Sequence, residues 1–215
     1  MKPWLFDILA CPIDKHFPLK LYIFSFETNS NDFNSFLEIL KNRNLEFIKD
    51  EEIIEISQEG GIYFIKDNII IKKTELETYI NLIILSINEL DNIFNKSQNK
   101  VSKNCFEIIS TKIKTKILNY KENFDPNTLD QIIPELYFLN KIKLETEIES
   151  GLLFCTKCNR WYPIIETIPQ MLPDEYRNEK KEIEFLQTIK NLLDEEFFNQ
   201  DLKPFNLKKT HSPVV

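Results

Sequence analysis

The chain has 215 residues, a mass of 25.6 kDa, a formal net charge of −7 and a pI near 5.1. That length suits one medium domain or two small ones, and a hydrophobic fraction of 42% supports a real core, which excludes a disordered chain. Three glycines leave no Gly-rich phosphate loop, and the acidic balance argues against tight direct binding to a phosphate backbone.

Two of the four cysteines stand in Cys155-x-x-Cys158, which fits a reducing compartment and metal use better than a disulfide framework. The N-terminus, MKPWLFDILACP, is a short apolar turn interrupted by Asp7, without a signal peptide's continuous apolar region or cleavage site. No apolar run reaches membrane-spanning length, so a cytoplasmic protein with no membrane contact is expected.

Residues 3–10 read as a short helix with Trp4, Leu5, Ile8 and Leu9 on one side, ended by the Cys11-Pro12 turn. Residues 19–26 read as a strand, Leu19, Leu21 and Ile23 alternating with Lys20 and Tyr22. After a loop at residues 27–31, Phe33, Phe36, Leu37 and Leu40 take helix spacing behind Asn31 or Asp32 as cap. Residues 52–57 and 62–72 are strand-like about a Glu59-Gly60-Gly61 turn. Thr74 is expected to cap a long helix reaching about Phe94, with Leu76, Tyr79, Ile80, Ile83, Ile87, Leu90 and Phe94 as its apolar face. Residues 95–104 read as loop and 105–120 as an amphipathic helix. Asp125-Pro126 has the signature of a helix start, with Pro134 kinking that helix or beginning another turn. Ile142, Leu144, Thr146 and Ile148 then alternate with charged residues as a strand would, and Gly151 is expected to turn the chain into Leu152-Leu153-Phe154. Residues 174–199 read as helix, with Ile183, Leu186, Ile189 and Leu193 at helical spacing, and the remainder as frayed.

The expected architecture is α+β. A small zinc-ribbon-like β domain is assembled from both chain ends (1–27 with 141–177), followed by a C-terminal helix (178–199) and a flexible tail (200–215), with a mostly helical inserted domain at 28–140.

The reason to join the ends is chemical. A C-x-x-C turn presents two thiolates to one ion, which is half of a zinc tetrahedron. The other half lies in Cys11-Pro12-Ile13-Asp14-Lys15-His16. Cys11, Cys155 and Cys158 supply three ligands, and Asp14 and His16 compete for the fourth. Asp14 has C-x-x-C-like spacing; His16 is the softer donor on a slightly longer loop, so the expected zinc set is Cys11, His16, Cys155 and Cys158. The bland alternative treats the cysteines as small buried hydrophobes. Cys105, alone in its helix, reads that way, and His211 in the tail reads as having no role. No nucleophile has a plausible base, and acidic pairs such as Glu51-Glu52 and Glu195-Glu196 read as solvated faces, so no catalytic residue and no enzyme is expected.

Beyond the Cys pair, Trp161 to Ile165 is an aromatic and branched run, and Ile168-Pro169-Gln170-Met171-Leu172-Pro173 is an apolar loop stiffened by two prolines. Ile168, Pro169, Met171 and Leu172 suit an anchor at an interface beside a strand edge open to β-augmentation, with Trp161 and Ile164 as further partner-binding candidates. The competing reading has Ile168 and Met171 plug the base of their own small ribbon, and at least one of Trp161 and Tyr162 is expected to pack internally.

The two end segments, LFDILACPIDKHFPLKLYIF and GLLFCTKCNRWYPIIETIPQMLPDEYR, resemble the small zinc-ribbon activator subunit of tRNA, rRNA and release-factor methyltransferases, in an archaeal-like form with a large helical insertion. The resemblance covers about the first 26 residues and the last 60 before the tail, and rests on Cys-Pro, a distant Cys-x-x-Cys, Arg-x-Tyr-Pro-Ile and Ile-Pro-x-Met-Leu-Pro in that order. It implies a non-catalytic partner of class I, S-adenosylmethionine-dependent methyltransferases. Such subunits form a heterodimer with the enzyme, add a strand to its sheet, cover an apolar patch and favour cofactor binding by the enzyme without binding the cofactor themselves. The family's zinc positions correspond to Cys11, His16, Cys155 and Cys158, with histidine in place of one cysteine; some relatives manage without metal. Nucleic acid would be met only through the partner. The alternative is a zinc-ribbon module of a transcription or RNA-processing assembly, for which Lys157, Arg160 and Arg177 offer the basic patch. A stand-alone enzyme using the insertion comes third, for want of a site.

Overall fold

The computed structural model describes residues 1–207 and is α+β. In chain order it runs through the short helix α1 (Pro3–Phe6), strand β1 (Lys20–Phe26), helices α2 (Ser30–Asn42) and α3 (Leu45–Asp50), and strands β2 (Glu55–Glu59), β3 (Ile62–Lys66) and β4 (Thr74–Glu75). Helix α4 (Leu76–Glu89), strand β5 (Ile93–Asn95) and helices α5 (Lys100–Ile108), α6 (Lys114–Glu122) and α7 (Ile133–Asn140) follow. The chain ends with strands β6 (Ile148–Phe154), β7 (Trp161–Ile165) and β8 (Ile168–Pro169) and helices α8 (Glu179–Thr188) and α9 (Glu195–Asn199).

The main sheet has the order β5-β1-β6-β7-β8, with β1 and β5 parallel and the other pairs antiparallel. Period-2 alternation sends Leu21, Ile23, Leu153, Tyr162 and Ile164 to one face, where they meet Met1, Phe6, Cys11 and Leu19. Phe24, Leu152, Phe154 and Trp161 go to the other, where Ile183, Leu186, Ile189, Leu193, Phe197, Phe198 and Leu202 cover them. Both faces are therefore buried, which is why β6 and β7 read as nearly continuous apolar runs.

The inserted region has its own helical core around Phe33, Tyr79, Ile83, Ile109, Leu136 and Phe138, and β2-β3-β4 form a separate three-stranded sheet with the hairpin turn at Gly60-Gly61. Phe26, Ile93 and Phe106 pack against both this core and the main sheet's, so the insertion is joined to the sheet through apolar contact. No helix among the described residues is long and apolar enough to cross a membrane.

Several local expectations need correction. Asn29, not Asn31 or Asp32, caps α2, accepting from both of their amides. Thr74 lies in β4 and α4 ends at Glu89, so residues 93–95 form a strand instead of a last helical turn. That strand pairs Ile93 with Leu21 and Asn95 with Ile23, and Phe94 stacks on Tyr22 at 5.1 Å. The loop expected at 95–104 is shorter: Asn99 caps a helix from Lys100, which passes a π-turn at Ile109–Ile113 and continues to Glu122. Residues 142–146 are not a strand. Helix α7 continues through a π-turn, Lys141–Glu145, and every residue from Ile133 to Lys143 is buried; a helix buried all round carries no amphipathic stripe to distinguish it from alternation. Residues 174–199 form α8 and α9 with a break between them, and residues 200–207 pack against the sheet, with Leu202 wholly buried. His211 lies outside the described residues.

Gly151 sits in the middle of β6 and turns nothing. A Cβ there would lie 2.8 Å from the Tyr22 carbonyl oxygen and 3.1 Å from Ile164 Cδ1, so the β1–β6 approach, beside a bulge near Phe24, requires glycine. Gly151→Ala is expected to cost about 1–3 kcal/mol in urea unfolding, because backbone must move to admit the methyl.

Candidate metal centre and apolar edge

The two cysteine loops are built alike. In the first, the Cys11 amide donates to the His16 carbonyl (2.9 Å), the Lys15 amide donates to the Cys11 carbonyl (2.9 Å), and Lys15 is left-handed at φ 58°. In the second, the Cys155 amide donates to the Arg160 carbonyl (2.8 Å), the Asn159 amide donates to the Cys155 carbonyl (2.9 Å), and Asn159 has φ 57°. Each loop thus repeats one hydrogen-bond pattern with its left-handed residue four places on. By this correspondence Asp14 stands in the first loop where Cys158 stands in the second.

The loops meet. Donor atoms of Cys11, Asp14, Cys155 and Cys158 all lie within 4.8 Å of one another. Cys11 Sγ is 3.7 Å from Cys158 Sγ, and Cys155 Sγ is 3.6 Å from Asp14 Oδ1. A tetrahedron with Zn–S near 2.3 Å has S–S edges of about 3.8 Å, and a mixed sulfur–oxygen edge of about 3.5 Å. The residues present therefore fit a zinc ion in size and in donor chemistry.

Electrostatics agree with that fit. Burial pushes the Cys155 thiol up to about 12 despite the Cys158 and Lys157 amides that favour the thiolate, and the neighbouring Cys11 adds to the rise. Partial desolvation raises the Asp14 carboxyl, but the His16 amide and the Cys11 and Cys155 thiols outweigh it and hold the group below the usual carboxylate range. Three crowded sulfurs favour protons over negative charge unless a cation sits among them. Tyr162, whose hydroxyl is 3.3 Å from Cys11 Sγ, orients that sulfur from behind, and burial pushes its phenol well up.

Cys11, Cys155 and Cys158 are thus gathered as the spacing implies. His16 stands outside the group; its Nε2 is 3.2 Å from Thr156 Oγ1, while its amide donates to Asp14 Oδ1 at 3.1 Å. Cys105 is buried in the helical core, its thiol pushed up to about 12 by burial.

The apolar candidates divide. Trp161 and Ile164 are wholly buried, Trp161 stacked on Phe185 on the helix-covered face and Ile164 on the opposite one. Pro169 is half-buried, and Met171 is half-buried against the core containing Cys11. Ile168 is 58% and Leu172 43% exposed, with Ile165 and Tyr176 also exposed nearby in the chain. β8 and the Gln170 amide, which donates to the Pro163 carbonyl, attach this loop to the outer edge of β7.

Two of the three basic residues of the same region are engaged. Arg160 is paired with Asp174, and Arg177 is buried against Glu182 and the rings of Trp161 and Tyr162.

The protein family described as Trm112p-like protein matches residues 2–166. The chain belongs to this family. No curated protein and no solved structure matches it. The Trm112p-like family is that of methyltransferase activator subunits, which are non-catalytic, and membership implies partnership with a methyltransferase. The match spans both cysteine loops and the whole insertion, and ends at Glu166, just before the exposed loop.

Sequence reasoning missed Tyr162 behind Cys11 and the weight of Asp14. The first had no local signal, since the contact joins residues 151 positions apart. The second is present in the matching C-x-x-D and C-x-x-C spacings, which a ranking by ligand softness overrides.

Proposed function

We propose that this chain activates and stabilises S-adenosylmethionine-dependent methyltransferases that modify tRNA, rRNA or a translation release factor. Docking combines strand addition with insertion of the apolar Ile168–Leu172 loop, and the partner alone binds S-adenosylmethionine. The observation that carries this docking mode is the exposure of Ile168 and Leu172 on a proline-stiffened loop at the β7 edge. An aliphatic pair in solvent, held by prolines that restrict the unbound chain, is the form an interface anchor takes.

Zinc held by Cys11, Asp14, Cys155 and Cys158 fixes the two loops, and through them the start of β7 and the exposed loop beyond it. Bound there, the ion supplies positive charge among the three sulfurs; it takes no part in methyl transfer. A nucleic-acid-contacting module is less well supported, because Arg160 and Arg177 are committed to Asp174 and Glu182 and Lys157 is left by itself in the suggested patch.

The test is affinity capture from the source cell extract followed by mass spectrometry. Class I methyltransferases are expected on the wild type, and Ile168→Asp with Leu172→Asp should reduce their retention at least a hundredfold by placing unpaired carboxylates in a desolvated contact. These two sites are chosen over Met171, which packs inward and whose loss would confuse docking with folding. Ribosomal or polymerase components retained instead, unaffected by the aspartates, would refute the activator assignment.

A further inference from the structure

The family match ends at Glu166, yet the following segments build a third core on the sheet. After α9 the chain returns to the outer edge of β7. The Lys203 amide donates to the Asn159 carbonyl at 2.9 Å, and the Trp161 amide donates to the Lys203 carbonyl at 3.3 Å, forming a parallel bridge between Arg160 and Lys203. The Trp161 indole N–H donates to the Phe205 carbonyl at 3.1 Å. Leu202 is wholly buried just before the bridge. The Phe205 ring lies 6.0 Å from the Arg177 guanidinium, which also faces Trp161 at 5.0 Å. β8 and Gln170 hold the other end of the same edge.

We propose that residues 200–207 are an internal stand-in for a partner's strand: they cover the start of the β7 edge, from Asn159 to Trp161, in the free subunit and are replaced there when a methyltransferase adds its strand. The inference rests on the activator assignment. Two observations direct it to this edge. The exposed Ile168 and Leu172 flank it, so a partner engaging the loop arrives beside the strap. The strap's hold is short, because its ladder among the described residues is the single bridge at Lys203, and the Phe205 carbonyl turns to the Trp161 indole instead of extending it. Covering an edge with a short, interruptible segment prevents self-association in the free protein while leaving the edge recoverable.

The strap also specifies what fits. The incoming segment is extended, with one residue that both donates to the Asn159 carbonyl and accepts from the Trp161 amide. An apolar side chain precedes it, where Leu202 now sits, and an aromatic one follows two places on, against Arg177. Because only strap-open molecules bind, the apparent affinity is reduced by the fraction that is open.

The test uses the methyltransferase recovered by the capture experiment, with the full chain. Leu202→Asp with Phe205→Asp unseats the strap and should tighten binding about tenfold in titration calorimetry; a folded variant that binds equally or less tightly overturns the inference. Hydrogen exchange on the wild type covers the case in which that variant does not fold. In the complex the Lys203 amide should lose protection while the Trp161 amide keeps it; a Lys203 amide still protected overturns the inference. A methyltransferase that binds with the strap in place sinks this inference alone, whereas a wild type that retains no methyltransferase sinks the activator assignment with it.

Discussion

Asp7→Ala is expected to lower stability by about 3–5 kcal/mol, although Asp7 only caps the C-terminal end of the short helix α1. Its carboxylate pairs with the Nζ of Lys143, whose side chain is 0% exposed and which also donates to the Ser86 carbonyl (3.0 Å) and hydroxyl. This group ties α1, at the metal-bearing end, to α4 and the buried turn after α7. Burial dominates both partners, pushing the Asp7 carboxyl up and the Lys143 ammonium down against their mutual attraction. Such a pair adds little over an apolar isostere, but removing one member strands the other. Asp7→Ala with Lys143→Met should therefore recover most of the loss in urea unfolding. The pH dependence follows from the sign of the lysine shift. A folded-state pKa depressed below the unfolded value penalises the fold at low pH, and the penalty is relieved as pH rises through the folded value toward the unfolded one. The deficit of Asp7→Ala should accordingly shrink at alkaline pH. A single substitution costing under about 1 kcal/mol, or a double variant no better than the single, would show that Lys143 is not stranded.

What the sequence reveals is what is local. Cys11 and the Cys155–Cys158 pair announce themselves by ligand spacing, β1 by alternation, and the hairpin by adjacent glycines. These signals are set by backbone geometry within a few residues. β5 is invisible because three residues pair with a strand some seventy positions earlier, and their apolar side chains equally complete a helical stripe. Residues 142–146 mislead for the opposite reason, since they continue a helix buried from Ile133 to Lys143, and burial all round erases the periodicity that separates helix from strand. Gly151 looks like punctuation and is instead a clearance for the Tyr22 carbonyl, a constraint imposed by another strand. The α8 and α9 stripes are legible, but not that they cover Trp161, so a tryptophan read as a partner contact is satisfied within the chain. Asp14 shows what a ranking of ligands by softness leaves out, because the loop fold, which repeats hydrogen bond by hydrogen bond, places its carboxylate beside the three sulfurs and leaves the His16 imidazole outside.

The metal centre gives the other large effect. Purified protein is expected to carry one zinc, and chelation should lower stability by about 4 kcal/mol when zinc had been a thousandfold above its dissociation constant. Cys155→Ser should do the same without chelator, since a neutral hydroxyl replaces a buried sulfur at the centre of the group. The sheet retains two apolar faces, so the stripped protein should lose order chiefly in the two loops and β8, visible as hydrogen exchange at the Cys11 and Cys155 amides, now held by the His16 and Arg160 carbonyls. Because thiols release protons on metallation, and burial holds the Cys155 thiol up at about 12, zinc affinity should rise with pH and fall steeply on acidification. Ligand substitutions separate the two candidates for the fourth position. Asp14→Ala should weaken zinc about 10- to 100-fold, Asp14→Cys should preserve or strengthen it by making the loops chemically equivalent, and His16→Ala should change it little. The reverse order, with His16→Ala costly and Asp14→Ala silent, would mean that the first loop refolds around the ion to bring the imidazole inward, and that the matching hydrogen bonds of the two loops do not fix the ligand.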